Sequence, residues 1–233
     1  MEILKKEGKK LKFKAEVSEE LANAIRRSAL EIPILAIEEV EFHKNDSALY
    51  DEVLALRLGL LPLKTTKSMK KGKEVKGKLK AEGPGIVYAS EIKGSIEPIY
   101  PKMPIVKLTE GQEIEMNLIA KTGKGTEHTK YSPGLVYYSR VPEVEEINKS
   151  DIEDQEVVEV DEDSLEEIKG GETKKKYDYL GEVVKNEDNY LYVKSGDEII
   201  FNIESWGQIS KEKIVEESAE ASKENLEEVK KAK

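Results

Sequence analysis

Residues Lys10–Val17 alternate without a break: Leu11, Phe13, Ala15 and Val17 fall on one side, Lys10, Lys12, Lys14 and Glu16 on the other. That two-residue period predicts a half-buried strand, paired with Glu2–Lys6 through a turn at Glu7-Gly8. At Ser18 the period lengthens. Ser18 is placed to cap a helix whose first turn carries Glu19 and Glu20. Leu21, Ala24, Ile25, Ser28, Ala29 and Ile32 then recur at three- and four-residue spacing and form one apolar stripe. Pro33 is expected to end this helix, with a second strand over about Leu35–Phe42. The densest apolar stretch is Asp51–Leu63, reading DEVLALRLGLLPL. Its Val53, Leu54, Leu56, Leu58 and Leu61 are too many for an exposed helix. Asp51 or Glu52 is expected to cap or charge the first turn, and Gly59 to stop the last.

The middle of the chain reads as β-structure. Thr65–Lys80 is basic and Gly/Lys-rich, a loop with a flanking strand. Further strands are expected over Ile86–Ile92, Gly94–Tyr100 and Glu113–Thr122. Lys102–Lys107 is punctuated by Pro101 and Pro104, and Leu135–Arg140 is a short β-rich run. From Asn148 to Ile168 the chain turns acidic, with no basic residue after Lys149, the pattern of a solvated face or loose loop. Val157, Val158 and Val160 predict one strand within it, and Ser164–Ile168 a helical turn stopped at Gly170. Tyr190–Lys194 and Glu198–Ser205 are expected as two strands around a Ser195-Gly196-Asp197 turn. Ser210 is placed to cap a final helix lined by Ile214, Val215, Ala219, Ser222, Leu226 and Val229. Its other faces are charged.

Composition narrows the function. In 233 residues, 38% are hydrophobic and 37% charged, which fits a chain with much solvated surface. A net charge of -10 argues against a general nucleic-acid binder, since phosphate binding needs a local Lys/Arg excess. The chain has no cysteine, which excludes disulfides, thiolate metal sites and iron–sulfur ligation on it. The N-terminal MEILKKEGKK has no apolar core of signal-peptide length, and the leucine-rich stretch is broken by Arg57 and Pro62. A soluble, cytoplasmic protein is expected.

The two helical stripes admit two readings. Each covers its own sheet, or a narrow seam on the long, thinly apolar last helix serves a partner helix. Asn23, Arg26 and Arg27 lie off the first stripe, where a solvated polar face is expected. His43 and His128 are the only histidines, with no ligand spacing for zinc. His128 and Lys130, in GTEHTKYSPG, are the residues on which a stand-alone enzyme or small-ligand protein would depend. GKGT at Gly123–Thr126 lacks the full phosphate-loop pattern.

Four segments in order, ELANAIRRSALEIP (Glu20–Pro33), DEVLALRLGLLPL, GTEHTKYSPG (Gly125–Gly134) and FNIESWGQISKEKIV (Phe201–Val215), resemble the alpha-like D family of archaeal DNA-directed RNA polymerase subunits. That family is related to the third subunit of eukaryotic polymerase II and to the bacterial alpha N-terminal domain. The resemblance implies an α+β fold. A dimerisation domain built from both chain ends (1–43 and 196–233) would be interrupted by a mostly β insert domain (44–144). It implies a non-catalytic scaffold subunit of a nucleotidyltransferase holoenzyme, with no cofactor and no catalytic residue on this chain. The partners implied are the small alpha-like subunit L, the small subunits N and P, and the second-largest catalytic subunit. DNA would be met only through the holoenzyme. Leu21, Ala24, Ile25, Ser28, Ala29, Ile32, Ile214, Val215, Ala219 and Leu226 would form the interface with L, and Asn23, Arg26 and Arg27 would contact the large subunit. Many relatives carry a ferredoxin-like domain with cluster-binding cysteines where this chain has residues 145–195. Here that acidic stretch is cysteine-free. A cluster-less ferredoxin-like remnant that binds other proteins and a different structure remain open alternatives.

Overall fold

The computed structural model describes residues 1–66, 74–148, 152, 157–170, 173–186 and 189–231. The lysine-rich part of the expected 65–80 loop, and Asp151, Glu153, Asp154 and Glu156 of the acidic block, lie outside the described residues. The fold is α+β. In chain order it runs β1 (Glu2–Glu7), β2 (Lys10–Ala15), α1 (Glu19–Ser28), β3 (Ile34–Asn45), α2 (Asp51–Gly59), β4 (Val75–Glu82), β5 (Gly85–Tyr88) and β6 (Lys93–Gly94). There follow β7 (Pro104–Leu108), β8 (Glu113–Gly123), β9 (Gly134–Ile147), β10 (Val157–Glu159), α3 (Glu162–Gly170), α4 (Thr173–Asp178), β11 (Val183–Asn186), β12 (Asn189–Ser205) and α5 (Lys211–Lys231). No described helix is long and apolar enough to cross a membrane.

Two compact units form. The first comprises Met1–Leu4, Lys12–Ala22 and Tyr138–Phe201, the second Lys5–Leu11, Asn23–Tyr137 and Asn202–Lys233. In the first, β10 runs parallel to β11 and β11 antiparallel to β12, so that sheet is mixed. Asp161 Oδ1 accepts the Ser164 amide at 2.8 Å and opens α3, whose Leu165 and Ile168 are buried with Val184, Leu191 and Val193. Phe13 stacks on Phe201 with ring centroids 5.0 Å apart.

The expected turn at Ser195-Gly196-Asp197 is absent, because β12 is one continuous strand of 17 residues. A Cβ on Gly196 would lie 2.6 Å from the Val141 carbonyl oxygen. The glycine is there for the close approach of β9, not for a bend. The run expected over Leu135–Arg140 is correspondingly longer, extending through β9 to Ile147.

The second unit holds the larger core. Its four-stranded sheet has the order β3-β8-β4-β6, with β5 and β7 as a separate pair. Along β8, Ile114, Met116, Leu118 and Ala120 are fully buried, alternating with half-buried Glu113, Glu115 and Asn117. They meet Leu35 and Ile37 of β3, Leu79 of β4, and Leu54 and Leu58 of α2. Burying each of those two leucines contributes about 1.5–3 kcal/mol. Arg57 fixes the other side of α2, donating to the Pro104 and Ile105 carbonyls at 2.9 Å each.

Several expectations are corrected here. α2 is capped at Tyr50 with no side-chain bond, so neither Asp51 nor Glu52 is the cap, although both charge its first turn. Val53 and Leu56 are exposed. The Ile86–Ile92 strand stops at Tyr88, where a 3-10 turn over Ala89–Glu91 begins, closed by the Glu91 carboxylate on the Tyr88 amide. Of Gly94–Tyr100, only Gly94 lies in a strand, with one isolated bridge between Pro98 and Leu63. Pro104, one of the two prolines punctuating this stretch, opens β7, the strand position that tolerates a missing N–H. β3 runs from Ile34 to Asn45, longer than the strand expected over about Leu35–Phe42.

Candidate interaction surfaces

Ser18 Oγ accepts the Leu21 amide at 3.3 Å, so the capping residue of α1 is the expected one. Glu20 is held below the usual carboxylate range by its own backbone amide and by Ser18. The helix ends one turn early, at Ser28. A 3-10 turn covers Ala29–Glu31, and Ile32 is extended as a residue preceding proline prefers. Of the stripe residues, Ser28, Ala29 and Ile32 are buried, Ala24 and Ile25 are half-buried, and Leu21 is 43% exposed. Ala22, which the stripe left out, is fully buried instead. The inward edge of α1 is therefore rotated by about one residue from the expected one, and Leu21 faces water.

Asn23 Oδ1 accepts both Nε and Nη2 of Arg26, at 3.2 and 2.9 Å. This one-turn clasp holds the guanidinium on the helix surface. Arg27, next to it, is exposed.

On α5, Ser210 Oγ accepts the Lys213 amide at 3.3 Å, as its sequence position requires. The buried positions are Lys211, Ile214, Ser218 and Ser222, spaced three, four and four apart. Lys211 Nζ donates to the Gly8 carbonyl at 2.6 Å, and Ser218 Oγ to the Ile214 carbonyl, so both polar ends are satisfied. The helix packs against the Ala29–Glu31 turn, where Asn225 donates to Glu31 at 2.8 Å. Val215 is half-buried, and Ala219 is exposed rather than on the stripe. Sequence reasoning passed over Ser218, although its distance of four from both Ile214 and Ser222 was the available signal. The same stripe continues to Leu226 and Val229, which are 61% and 60% exposed. Apolar periodicity thus outruns what the second unit covers.

His128 and Lys130 sit elsewhere, on the 3-10 turn Thr129–Tyr131. His128 Nδ1 accepts the Lys130 amide at 3.1 Å. Lys130 Nζ pairs with Glu38 and donates to the Ile37 carbonyl at 3.3 Å, and Tyr131 Oη donates to Glu38 at 2.6 Å. Lys130 first, then Tyr131, holds Glu38 below its ordinary range, while burial and then Glu38 push Tyr131 up. A base would need a raised carboxylate, and a nucleophile a free amine; this arrangement supplies neither. Its geometry is that of a clamp fastening the turn to β3. A Cβ on Gly123 would lie 2.5 Å from the Tyr131 ring, so the clamp also needs that glycine. Among the described residues no three His, Asp or Glu side chains converge as a metal site would require.

Comparison with known proteins gives the surfaces a context. Residues 38–135 match the RNA polymerase Rpb3/RpoA insert domain. The chain is 41% identical over 170 residues to the DNA-directed RNA polymerase subunit Rpo3 of Pyrococcus furiosus, covering 64% of this chain and 65% of that protein. Against Rpo3 of Pyrococcus horikoshii it is 44% identical over 150 residues, 59% of this chain and 58% of that protein. Against Rpo3 of Methanopyrus kandleri it is 33% identical over 252 aligned positions, 93% of this chain and 88% of that protein. The chain thus spans less than two thirds of the length of the two Pyrococcus relatives it matches.

Proposed function

Because this chain belongs to the family of DNA-directed RNA polymerase subunit Rpo3, we propose that it is a non-catalytic assembly subunit of that polymerase. In this reading it pairs with the small alpha-like subunit L through α1 and α5, and it carries the small subunits N and P. The Asn23–Arg26–Arg27 face meets the second-largest subunit, and DNA is reached only through the holoenzyme. The two chain ends make a discontinuous dimerisation domain around the insert domain.

The observation that carries the pairing is the exposed continuation of an otherwise buried stripe. On α5 the periodicity of Ile214, Ser218 and Ser222 runs on into Leu226 and Val229, which stand in water. Interface anchors have this character, apolar residues in helical register at the edge of a core. Asn23 supports the large-subunit contact by holding Arg26 in place, which lowers the entropy lost when a carboxylate or carbonyl binds it.

Co-expression with subunit L, followed by size-exclusion chromatography, tests the reading. A stoichiometric complex is expected. A chain that elutes alone and monodisperse while L elutes separately would contradict it, and would favour the stand-alone alternative.

A further inference from the structure

The second unit carries an aromatic surface that the helical interface does not use. Trp206, the single tryptophan of the chain, is 40% exposed, and Tyr100 is 38% exposed. Tyr100 Oη donates to the Trp206 carbonyl at 2.9 Å, and Lys9 Nζ reaches both the Tyr100 hydroxyl and, at 4.0 Å from its centroid, the ring. Lys102 and Met103 sit on the turn that begins at Tyr100, closed by the Met103 amide on the Tyr100 carbonyl at 3.0 Å. Lys102 is exposed, and Met103 is 38% exposed.

The loop that presents Trp206 is tightly built. Its amide donates to the Pro133 carbonyl at 3.1 Å, and the Ser205 amide to the Lys9 carbonyl at 3.0 Å. Ser205 Oγ accepts from the Gly207 amide at 2.9 Å and donates to the Ile209 carbonyl at 2.6 Å. Gly207 has φ of 101°, and a Cβ there would lie 2.7 Å from Lys9 Nζ and 2.8 Å from Ile99. Only glycine permits this turn beside this lysine. An exposed tryptophan on an ordered loop, next to tyrosine and methionine, has the make-up of a binding hot spot, and rigidity lowers the cost of using it.

Charge selects the occupant. The neighbouring carboxylates are already engaged: Glu204 lies 3.4 Å from Lys10, Glu97 lies 2.9 Å from Lys64, and Glu91 accepts the Tyr88 amide. Lys9 and Lys102 meet no carboxylate among the described residues. The patch is therefore locally positive on a chain of net charge -10. We infer that Trp206, Tyr100, Lys9 and Lys102 form a second docking site, for an acidic segment of another polymerase subunit. The inference rests on the assembly reading above, and it adds a contact distinct from the α1 and α5 surfaces. Two lysines on so acidic a chain favour an acidic protein over nucleic acid, whose backbone needs a broader basic track.

One tryptophan gives one signal. The full chain labelled with 5-fluorotryptophan is titrated with L, N, P and the second-largest subunit in turn, and its single fluorine resonance is followed with size-exclusion chromatography of each mixture. One subunit is expected to shift the resonance and abolish its solvent isotope shift. Replacing both lysines (Lys9→Gln, Lys102→Gln) is expected to weaken that contact about tenfold and flatten its salt dependence. Complexes that form while the resonance stays solvent-exposed would overturn the docking site and leave the assembly reading standing. A chain that joins no complex in the chromatography would overturn both. A response to single-stranded oligonucleotide and to none of the subunits would overturn the choice of occupant.

Discussion

Leu226→Glu should separate assembly from folding. Leu226 is 61% exposed in the chain by itself, so well under half of its burial is realised there. Full burial of a leucine contributes about 1.5–3 kcal/mol, which leaves roughly 1–2 kcal/mol to be gained against a partner. In the free chain the glutamate stays solvated, and its cost to folding should be only the part of the burial already realised there, about 0.5–1 kcal/mol. At a closed interface the same carboxylate must be desolvated without a partner, adding several kcal/mol and making the loss on binding much larger than the loss of the leucine alone. Ile214→Ala is the opposite case. Ile214 is fully buried, and truncation should destabilise the chain by about 2–5 kcal/mol whether or not a partner is present. Urea denaturation measures the first quantity, and size-exclusion chromatography after co-expression with L the second. Leu226→Glu should lower the midpoint only slightly, far less than Ile214→Ala does, and lose the complex. A variant that retains the complex would show that the exposed stripe is not an interface.

Other outcomes follow from the same geometry. Ile25→Glu, at a half-buried position of α1, should abolish association with L while the insert domain stays folded; co-purification at the wild-type level would place the interface elsewhere. Gly123→Ala should cost about 1–3 kcal/mol through overlap with the Tyr131 ring, and pairing it with Tyr131→Ala in a double-mutant cycle should recover most of that loss in urea titrations. Acid should weaken the insert sheet through its carboxylates. Lys78 first, and then Lys80, lower Glu115 from 4.5 to about 2, Lys44 and Lys80 lower Glu113, and Lys130 and Tyr131 lower Glu38. Because the folded values are depressed, their contribution is complete above pH 4.5 and fades as the pH falls from there towards about 2. Thermal melts across that range should show a falling midpoint, and a flat profile would mean these pairs add nothing to stability.

Periodicity carried the sequence reading wherever one face of an element meets a core. The strict alternation of Lys10–Ala15, the strand over Glu113–Thr122, and the caps Ser18 and Ser210 were readable because each is a local relation between a few residues. The leucine-rich helix was readable as a helix but not as a two-faced one. Leu54 and Leu58 turn inward while Val53, Leu56 and Leu60 turn out, and composition alone does not distinguish them. Gly196 misled because Ser-Gly-Asp is ordinary turn chemistry, whereas the constraint comes from a strand about fifty residues earlier. The Glu38 clamp was out of reach for the same reason, since Tyr131 lies 93 residues from the carboxylate it binds. On α5, the reading took Ala219, four residues from Val215, over Ser218, although helical spacing from Ile214 favours the serine.

Omission reconstitution tests the central proposal most directly. Polymerase is assembled from separately purified subunits with and without this chain, and large-subunit association and RNA synthesis are both measured. Without the chain, the two large subunits should fail to join a stable complex and synthesis should be lost. Adding the chain back should restore both, while the chain alone extends no primer. Large subunits that assemble and transcribe at the full rate in its absence would contradict the account.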